Sequence, residues 1–244
     1  MTLPPLDRSA LLLDLDGTLL DFAPTPDSVV VPPDLPGTLT RLTHRLDGAL
    51  AVVSGRTVEV LEALLPDSVP TFAGEHGVSI RRSPHAPLVR APLPPVPPAW
   101  LDQARALVEA TPGAVMEHKP FGFTMHYRQA PSAGPAFHAL LIRLLAGQSE
   151  FRLLEGSMVW EVRPAGIHKG HAVEALMAEP PFRGRLPIFI GDDVTDEDGM
   201  RAARALGGAG LRVDRSFGSP AGVRAWLARA ATAPTWPEVN DAPA

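Results

Sequence analysis

The chain has 244 residues, 45% of them hydrophobic and 20% charged, a composition that supports a buried core and excludes wholesale disorder. A net charge of −5 with no run of Lys or Arg argues against a nucleic-acid-binding surface, and the absence of cysteine excludes disulfides and thiolate chemistry. The apolar runs are too short to span a membrane and the N-terminus lacks a signal-peptide pattern, so one large or two modest domains in a cytoplasmic setting are expected.

Leu11-Leu12-Leu13 reads as a fully buried parallel strand running into Asp14-Leu15-Asp16-Gly17-Thr18. Ionised carboxylates at the end of a buried strand are costly unless a cation or donors meet them. Open α/β sheets place ligands at such strand ends. Period 2 turns Asp14 and Asp16 to one side, and Gly17 lets the backbone turn or approach a ligand closely. The stretch reads as a site for Mg²⁺ and a phosphoryl group; the plainer alternative is a strand followed by an Asp-Gly turn. Asp21 to Gly37 is rich in proline and polar residues and reads as a long loop. Leu35, Leu39, Leu42 and Leu46 have helical spacing, and Gly48 is a stop signal.

Ala49 to Val53 is a second buried strand, ending at Ser54-Gly55-Arg56 before a helix from Thr57 to Leu65. A hydroxyl and backbone N–H groups at a helix start suit a phosphate, although a plain Ser/Gly turn has the same letters. Val69 to Ala73 is a third strand, followed by Gly74-Glu75-His76-Gly77, where an acid and an imidazole between glycines point to a ligand contact. Prolines at 84, 87, 92, 94, 95, 97 and 98 mark a linker from about Ser83 to Pro98.

The next stretch alternates helix and paired strands: Trp100 to Ala110, Ala114 to Lys119, Phe123 to Arg128, Pro135 to Gly147, Phe151 to Glu155 and Met158 to Arg163. This α-β-β-α-β-β order predicts a separate small α+β domain with a largely antiparallel sheet. Glu117 with Lys119, His126 with Arg128, and Glu161 with Arg163 each share a strand face. They form either one solvated face of a half-buried sheet or a floor that hydrogen-bonds a hydroxyl-rich ligand.

Pro164 to Ile167 returns the chain to the first domain, and Lys169-Gly170 opens a helix through Ala178. A lysine at a helix start opposes the helix dipole; a nearby anion accounts for it, and an exposed lysine is the alternative. Leu186 to Ile190 is a fourth buried strand and ends in Gly191-Asp192-Asp193-Val194-Thr195-Asp196-Glu197-Asp198. A helix (Glu197 to Leu206), a strand (Ala209 to Val213) and a helix (Ser219 to Ala230) follow, with a frayed tail from Ala231. The expected domains are 1–83 with 165–244, and 84–164.

Together the strand ends match a phosphotransfer site. Asp14, Asp192 and a backbone carbonyl near Asp16 offer the hard oxygens that Mg²⁺ takes. A carboxylate can act as nucleophile in aspartyl-phosphate chemistry. Asp16 is placed to protonate a leaving alkoxide and then deprotonate water. Ser54 and Lys169 would hold the equatorial oxygens, with Asp193 and Asp196 orienting metal waters or Lys169.

Asp14-Leu15-Asp16-Gly17-Thr18, Ser54, Lys169 and Gly191-Asp192-Asp193 resemble the four motifs of the haloacid dehalogenase superfamily of phosphatases. The resemblance implies an α/β fold, with a Rossmann-like parallel-sheet core and an inserted α+β cap. More narrowly, Gly74-Glu75-His76-Gly77, Glu117-His118-Lys119, His126-Tyr127-Arg128, Glu161-Val162-Arg163-Pro164, Lys169-Gly170 and Gly191 to Asp198 resemble the trehalose-6-phosphate phosphatase family nearly end to end.

By that resemblance Asp14 is the nucleophile, Asp16 the general acid/base, Ser54 and Lys169 phosphate ligands, and Asp192 a magnesium ligand beside Asp14 and Asp16. Thr18, Gly55 and Arg56 complete the expected substrate contacts in the core. Glu117, Lys119 and Glu161 hold glucose hydroxyls, His76 lies at the domain junction, and Arg128 and Arg163 support these groups or touch the sugar. Ser157 departs from the pattern, standing where family members often carry a lysine. The expected activity is Mg²⁺-dependent hydrolysis of trehalose 6-phosphate by a cytoplasmic monomer whose partner is a small-molecule sugar phosphate, with no nucleic acid and no membrane. Another capped sugar phosphatase acting on sucrose phosphate or a glycosyl-phosphoglycerate, a sugar phosphomutase, and a non-catalytic sugar-phosphate sensor are the alternatives.

Overall fold

The computed structural model describes residues 3–23, 28–91, 93–119 and 121–240, in two compact units: Met1–Ala91 with His168–Ala244, and Pro92–Ile167. The first unit opens with β1 (Ser9–Leu13), α1 (Leu35–Arg45), β2 (Leu50–Val53), α2 (Val58–Leu64), β3 (Thr71–Gly74), β4 (Ser79–Arg81) and β5 (Val89–Arg90). The second holds α3 (Pro98–Glu109), β6 (Val115–Lys119), β7 (Gly122–His126), α4 (Gly134–Leu145), β8 (Phe151–Gly156) and β9 (Val159–Pro164). The chain returns to the first unit with α5 (Lys169–Met177), β10 (Leu186–Gly191), α6 (Asp196–Ala205), β11 (Ala209–Arg212), α7 (Val213–Ser216) and α8 (Pro220–Ala230).

In the first unit the strand order is β11-β10-β1-β2-β3-β4-β5. The first five are parallel, and β4 and β5 add to the edge in antiparallel fashion. β1 and β2 are buried at every position, which is why each reads as an unbroken apolar run with no alternation. The helix α1 turns Leu35, Leu39 and Leu42 into the same core. It starts at Leu35, so the long loop is shorter at its end than its composition implied; residues 24–27 of that loop lie outside the described residues.

Two features of this unit differ from the sequence reading. β4 and β5 were not foreseen. Three and two residues carry no readable period, and β5 lies inside the Pro-rich stretch read as linker, so part of that stretch belongs to the sheet. The tail after Ala230 is not frayed through residue 240. Trp236 stacks on the buried Trp226 at a ring separation of 5.3 Å, and its Nε1 donates to Ser9 Oγ at 3.1 Å. Two aromatic rings with an indole hydrogen bond anchor a segment that has no periodicity of its own.

The second unit is an antiparallel sheet in the order β6-β7-β9-β8. Phe123, Met125 and Val162 face one side, in a core shared with Trp100 and Ala104 of α3 and Phe137 and Leu141 of α4. Glu117, Thr124 and Glu161 are register partners and face the other side. β7 ends at His126, so Arg128 does not share a strand face with it, as the sequence reading had it. Arg128 lies in the following turn, where it donates to the Ser157 carbonyl at 3.5 Å. No helix among the described residues is long and apolar enough to cross a membrane.

Candidate active site

The site forms where β1 and β10, adjacent and parallel, reach their carboxyl ends. Asp14 follows β1 directly, and its N–H still donates to the Ile190 carbonyl at 2.9 Å, so the ladder fixes where its side chain starts. Asp192 follows β10 directly. Gly17 makes the turn that brings the two together. Its φ is +79°, and a Cβ there would lie 2.3 Å from Asp192 Oδ2, so any other residue would be strained at this turn and would displace the Asp192 carboxylate. Thr18 is fully buried and donates to Asp192 Oδ1 at 3.4 Å, a hold on that carboxylate.

Lys169, 3% exposed at the start of α5, is the centre of the charge array. Its Nζ donates to Asp14 Oδ1 and to Asp196 Oδ1, both at 2.6 Å. The anion that excuses a lysine at a helix start is therefore a pair of buried carboxylates. The other oxygen of Asp196 accepts from the N–H groups of Asp192 and Asp193 at 3.0 and 3.1 Å, tying the loop after β10 to Lys169. Asp193 shapes the same loop: its Oδ1 accepts from the Thr195 N–H and hydroxyl, both at 2.7 Å, and from the Asp196 N–H at 3.2 Å.

Burial pushes the Asp14 carboxyl up to about 6, against the pull of Lys169. Burial and the charge of Asp14 push Asp196 up to about 7. Burial, with Asp196 and Asp193 close by, also raises Asp192. Asp193 is exposed; loss of some of its hydration raises its carboxyl, but the hydrogen bonds from Thr195 and the Asp196 N–H, with the charge of Lys169, outweigh this and hold it below the usual carboxylate value. Burial disfavours the Lys169 charge, yet Asp14 and Asp196 more than offset this and hold its pKa above that of an ordinary lysine. One cation thus stands among carboxylates that are reluctant to ionise.

Carboxylate oxygens of Asp14, Asp192 and Asp196 all lie within 4.8 Å of one another. The cluster can coordinate a divalent metal. Its donors are oxygen only, which suits a hard cation, and its unbalanced negative charge supplies a reason for one to bind. Asp196 already serves Lys169 and two N–H groups, so Asp14 and Asp192 have the more available oxygens. The Asp16 carboxylate is not in the cluster. Arg56 grips it with a two-pronged fork, Nε to Oδ2 at 2.7 Å and a terminal nitrogen to Oδ1 at 2.8 Å.

Ser54 sits at the end of β2 with its N–H on the Ala73 carbonyl at 2.9 Å, and its Oγ accepts the Arg56 N–H at 3.2 Å. The chain then runs into α2, so the hydroxyl lies just before a helix start. Gly55 lies against the His76 imidazole: a Cβ on Gly55 would be 3.0 Å from two ring atoms. Glu75 and His76 adopt left-handed backbone at φ 52° and 60°, and the Glu75 carboxylate accepts from Ser79 Oγ at 2.7 Å. These bonds fold Gly74-Glu75-His76-Gly77 into the turn between β3 and β4.

In the second unit, Lys119 Nζ reaches Glu161 Oε1 at 3.1 Å, and His126 Nε2 lies 3.3 Å from Glu117 Oε2. Arg163 stands opposite Arg152 on the same sheet. Sequence reasoning missed Arg212. From the end of β11 it donates to the Asp192 carbonyl at 2.7 Å and to Glu197 at 2.8 Å, and it pairs with Asp214. A lone arginine twenty positions from the aspartate it supports carries no local signal.

The chain is similar to known proteins in sequence and in fold. A family model described as Trehalose-phosphatase matches residues 12–225. The chain is 41% identical over 213 residues to a probable trehalose-phosphate phosphatase of Sinorhizobium fredii, covering 85% of this chain and 78% of that protein. It is 38% identical over 207 residues to the trehalose-6-phosphate phosphatase of Escherichia coli K12, covering 84% and 77%. Its fold is similar to the C-terminal domain of the Candida albicans trehalose-6-phosphate phosphatase, with a TM-score of 0.73, 21% identity, and coverage of 92% and 93%.

Proposed function

Because the chain belongs to the trehalose-phosphatase family, we propose that it is a hydrolase that releases phosphate from trehalose 6-phosphate through an aspartyl phosphate on Asp14. The observation that carries this reading is Lys169 held between Asp14 and Asp196, with Asp192 in the same cluster, at the carboxyl ends of adjacent parallel strands. That is an oxygen nucleophile, a fixed cation and a metal-binding carboxylate at one place.

Asp14 attacks phosphorus as the sugar oxygen leaves. Lys169 and Ser54 hold the non-bridging oxygens, where charge is spread in the transition state. Asp16 hands a proton to the departing sugar oxygen, then takes one from the water that attacks the aspartyl phosphate. The Arg56 fork covers both Asp16 oxygens, so a proton passes through Asp16 only as the fork loosens. Magnesium, held by Asp14, Asp192 and the Asp16 backbone carbonyl, would screen the charge between the nucleophile and an anionic phosphoryl group.

The second unit is assigned the choice of sugar. Its sheet turns one face to a core, and the opposite face presents Glu117, Lys119 and Glu161, groups that donate to and accept from sugar hydroxyls. Arg128 and Arg163 support that face. Work on a small sugar phosphate in a cytoplasmic compartment agrees with a chain that has no cysteine.

The test is phosphate release from trehalose 6-phosphate, sucrose 6-phosphate, glucose 6-phosphate and mannosyl-3-phosphoglycerate with Mg²⁺, using Asp14→Asn as the blank. Strong preference for trehalose 6-phosphate, abolished in the variant, is expected. Preference for another sugar phosphate would retain the chemistry and overturn the substrate. Binding without any metal-dependent release would replace the enzyme by a sensor.

A further inference from the structure

The polar sheet face of the second unit contains a hydroxyl that the fold does not use. Thr124 lies in the middle of β7, and its chain neighbours Phe123 and Met125 are both fully buried in the unit's core. Alternation therefore turns Thr124 to the opposite face, the one that carries Glu117 and Glu161. Its register partners on the two flanking strands are those two glutamates, Glu117 on β6 and Glu161 on β9. Even so, Thr124 is only 3% exposed, and its Oγ1 has no hydrogen-bond partner among the described residues.

A neighbouring ion pair spans the same strand. β6 and β9 flank β7, about 10 Å apart at the usual strand spacing. Lys119 starts on β6 and meets Glu161 on β9, so its side chain must cross over β7. The register partner of Lys119 on β7 is Gly122, two residues before Thr124, and a glycine leaves that path clear. Both members of the pair are half-buried, so the contact is not simply two side chains meeting in open solvent.

A buried hydroxyl with no partner is unfavourable, and valine has the same branched shape without the oxygen. Nothing in the fold accounts for keeping the oxygen. We propose that Thr124 is a sugar-hydroxyl ligand: a hydroxyl of the hexose displaces one arm of the Lys119–Glu161 pair and hydrogen-bonds Thr124 Oγ1. The assignment deepens, and rests on, the reading of this face as the sugar-selecting surface. In the unliganded protein the ion pair satisfies itself across the sheet. In the complex the sugar takes over its donors and acceptors, and the threonine becomes a third contact between the two glutamates.

Thr124→Val and Thr124→Ser test the assignment, through KM and kcat for trehalose 6-phosphate and through thermal unfolding. For Thr124→Val, KM is expected to rise about three- to tenfold, the range of one lost neutral hydrogen bond, with kcat changed less than twofold. Its Tm should stay the same or rise by up to about 4 °C, because a partnerless buried hydroxyl has been removed. Thr124→Ser should restore KM. A wild-type KM in Thr124→Val overturns the assignment. So does a fall in Tm of several degrees accompanied by equal losses in kcat and kcat/KM, which would mark a purely structural hydroxyl. If the wild-type protein ignores trehalose 6-phosphate, the substrate reading falls by itself. The same comparison is then made on the sugar phosphate it does hydrolyse, where an unchanged KM again overturns the role of Thr124.

Discussion

Lys169→Met is the perturbation that tests the charge array most directly. Methionine keeps the length and apolar stem of lysine and removes the ammonium that lies 2.6 Å from both Asp14 and Asp196. Both carboxylates are buried, so neither can turn to water for compensation. Removing one partner of a buried pair costs about 3–5 kcal/mol, chiefly because an uncompensated charge stays behind. For a protein of this size, about 2–4 °C of Tm accompanies each kcal/mol, so melting without metal at pH 7.5 should fall by roughly 6–20 °C.

The pH dependence fixes the sign. Asp14 and Asp196 already have raised values in the native state, about 6 and about 7, against 3.8 as the ordinary value. Between those limits the native state binds more protons than the unfolded state, so stability falls as pH rises through that window. Loss of Lys169 removes the strongest influence that pulls both values down, leaving backbone hydrogen bonds from Leu15 and Asp193 to do so, and the window widens. The Tm deficit should therefore shrink as pH falls from 7.5 towards 5. Activity should drop about 10²- to 10³-fold, the range for losing one preorganised charge-stabilising donor. Scanning calorimetry in EDTA at several pH values, with phosphate release measured in Mg²⁺, checks each part. A Tm within 2 °C of wild type at pH 7.5, or a deficit that does not change with pH, would refute the reasoning.

Three further outcomes are expected. Adding Mg²⁺ should raise the wild-type Tm in a concentration-dependent way, since a ligand of the native state stabilises by mass action; Asp192→Asn should remove most of that rise. Gly17→Ala should lower activity by at least tenfold and stability by about 1–3 kcal/mol, because φ is +79° and the new Cβ meets Asp192 Oδ2; a fully active, fully stable variant would show that the turn can shift. Trp236→Ala should cost about 1–3 kcal/mol, the sum of one aromatic pair and one hydrogen bond, measured by urea unfolding, while KM stays unchanged.

The elements legible in the sequence were those with strong local signals. Doubly buried strands read as apolar runs, and Leu35, Leu39 and Leu42 gave a helix its face. Carboxylates at the ends of Leu11–Leu13 and Leu186–Ile190 stood out because charge beside a buried strand needs a reason. β4 and β5 stayed hidden because such short strands have no period; the turn at Glu75 and His76 sets β4 against β3, and β5 then pairs with β4. Trp236 was read as part of a frayed end because its partners, Trp226 and Ser9, are distant in sequence.

Chain order by itself thus determined the alternation of strands and helices, the inserted antiparallel unit, and the residue types at the strand ends. Tertiary structure decided how those residues are employed. Asp196 became the second anchor of Lys169, Arg56 went to Asp16, Arg212 came to support the loop of Asp192, and Thr124 was left with an unused hydroxyl between two glutamates. Periodicity is a property of neighbours along the chain, whereas a hydrogen bond across 155 residues, such as that from Lys169 to Asp14, exists only once the fold has brought the start of α5 to the end of β1.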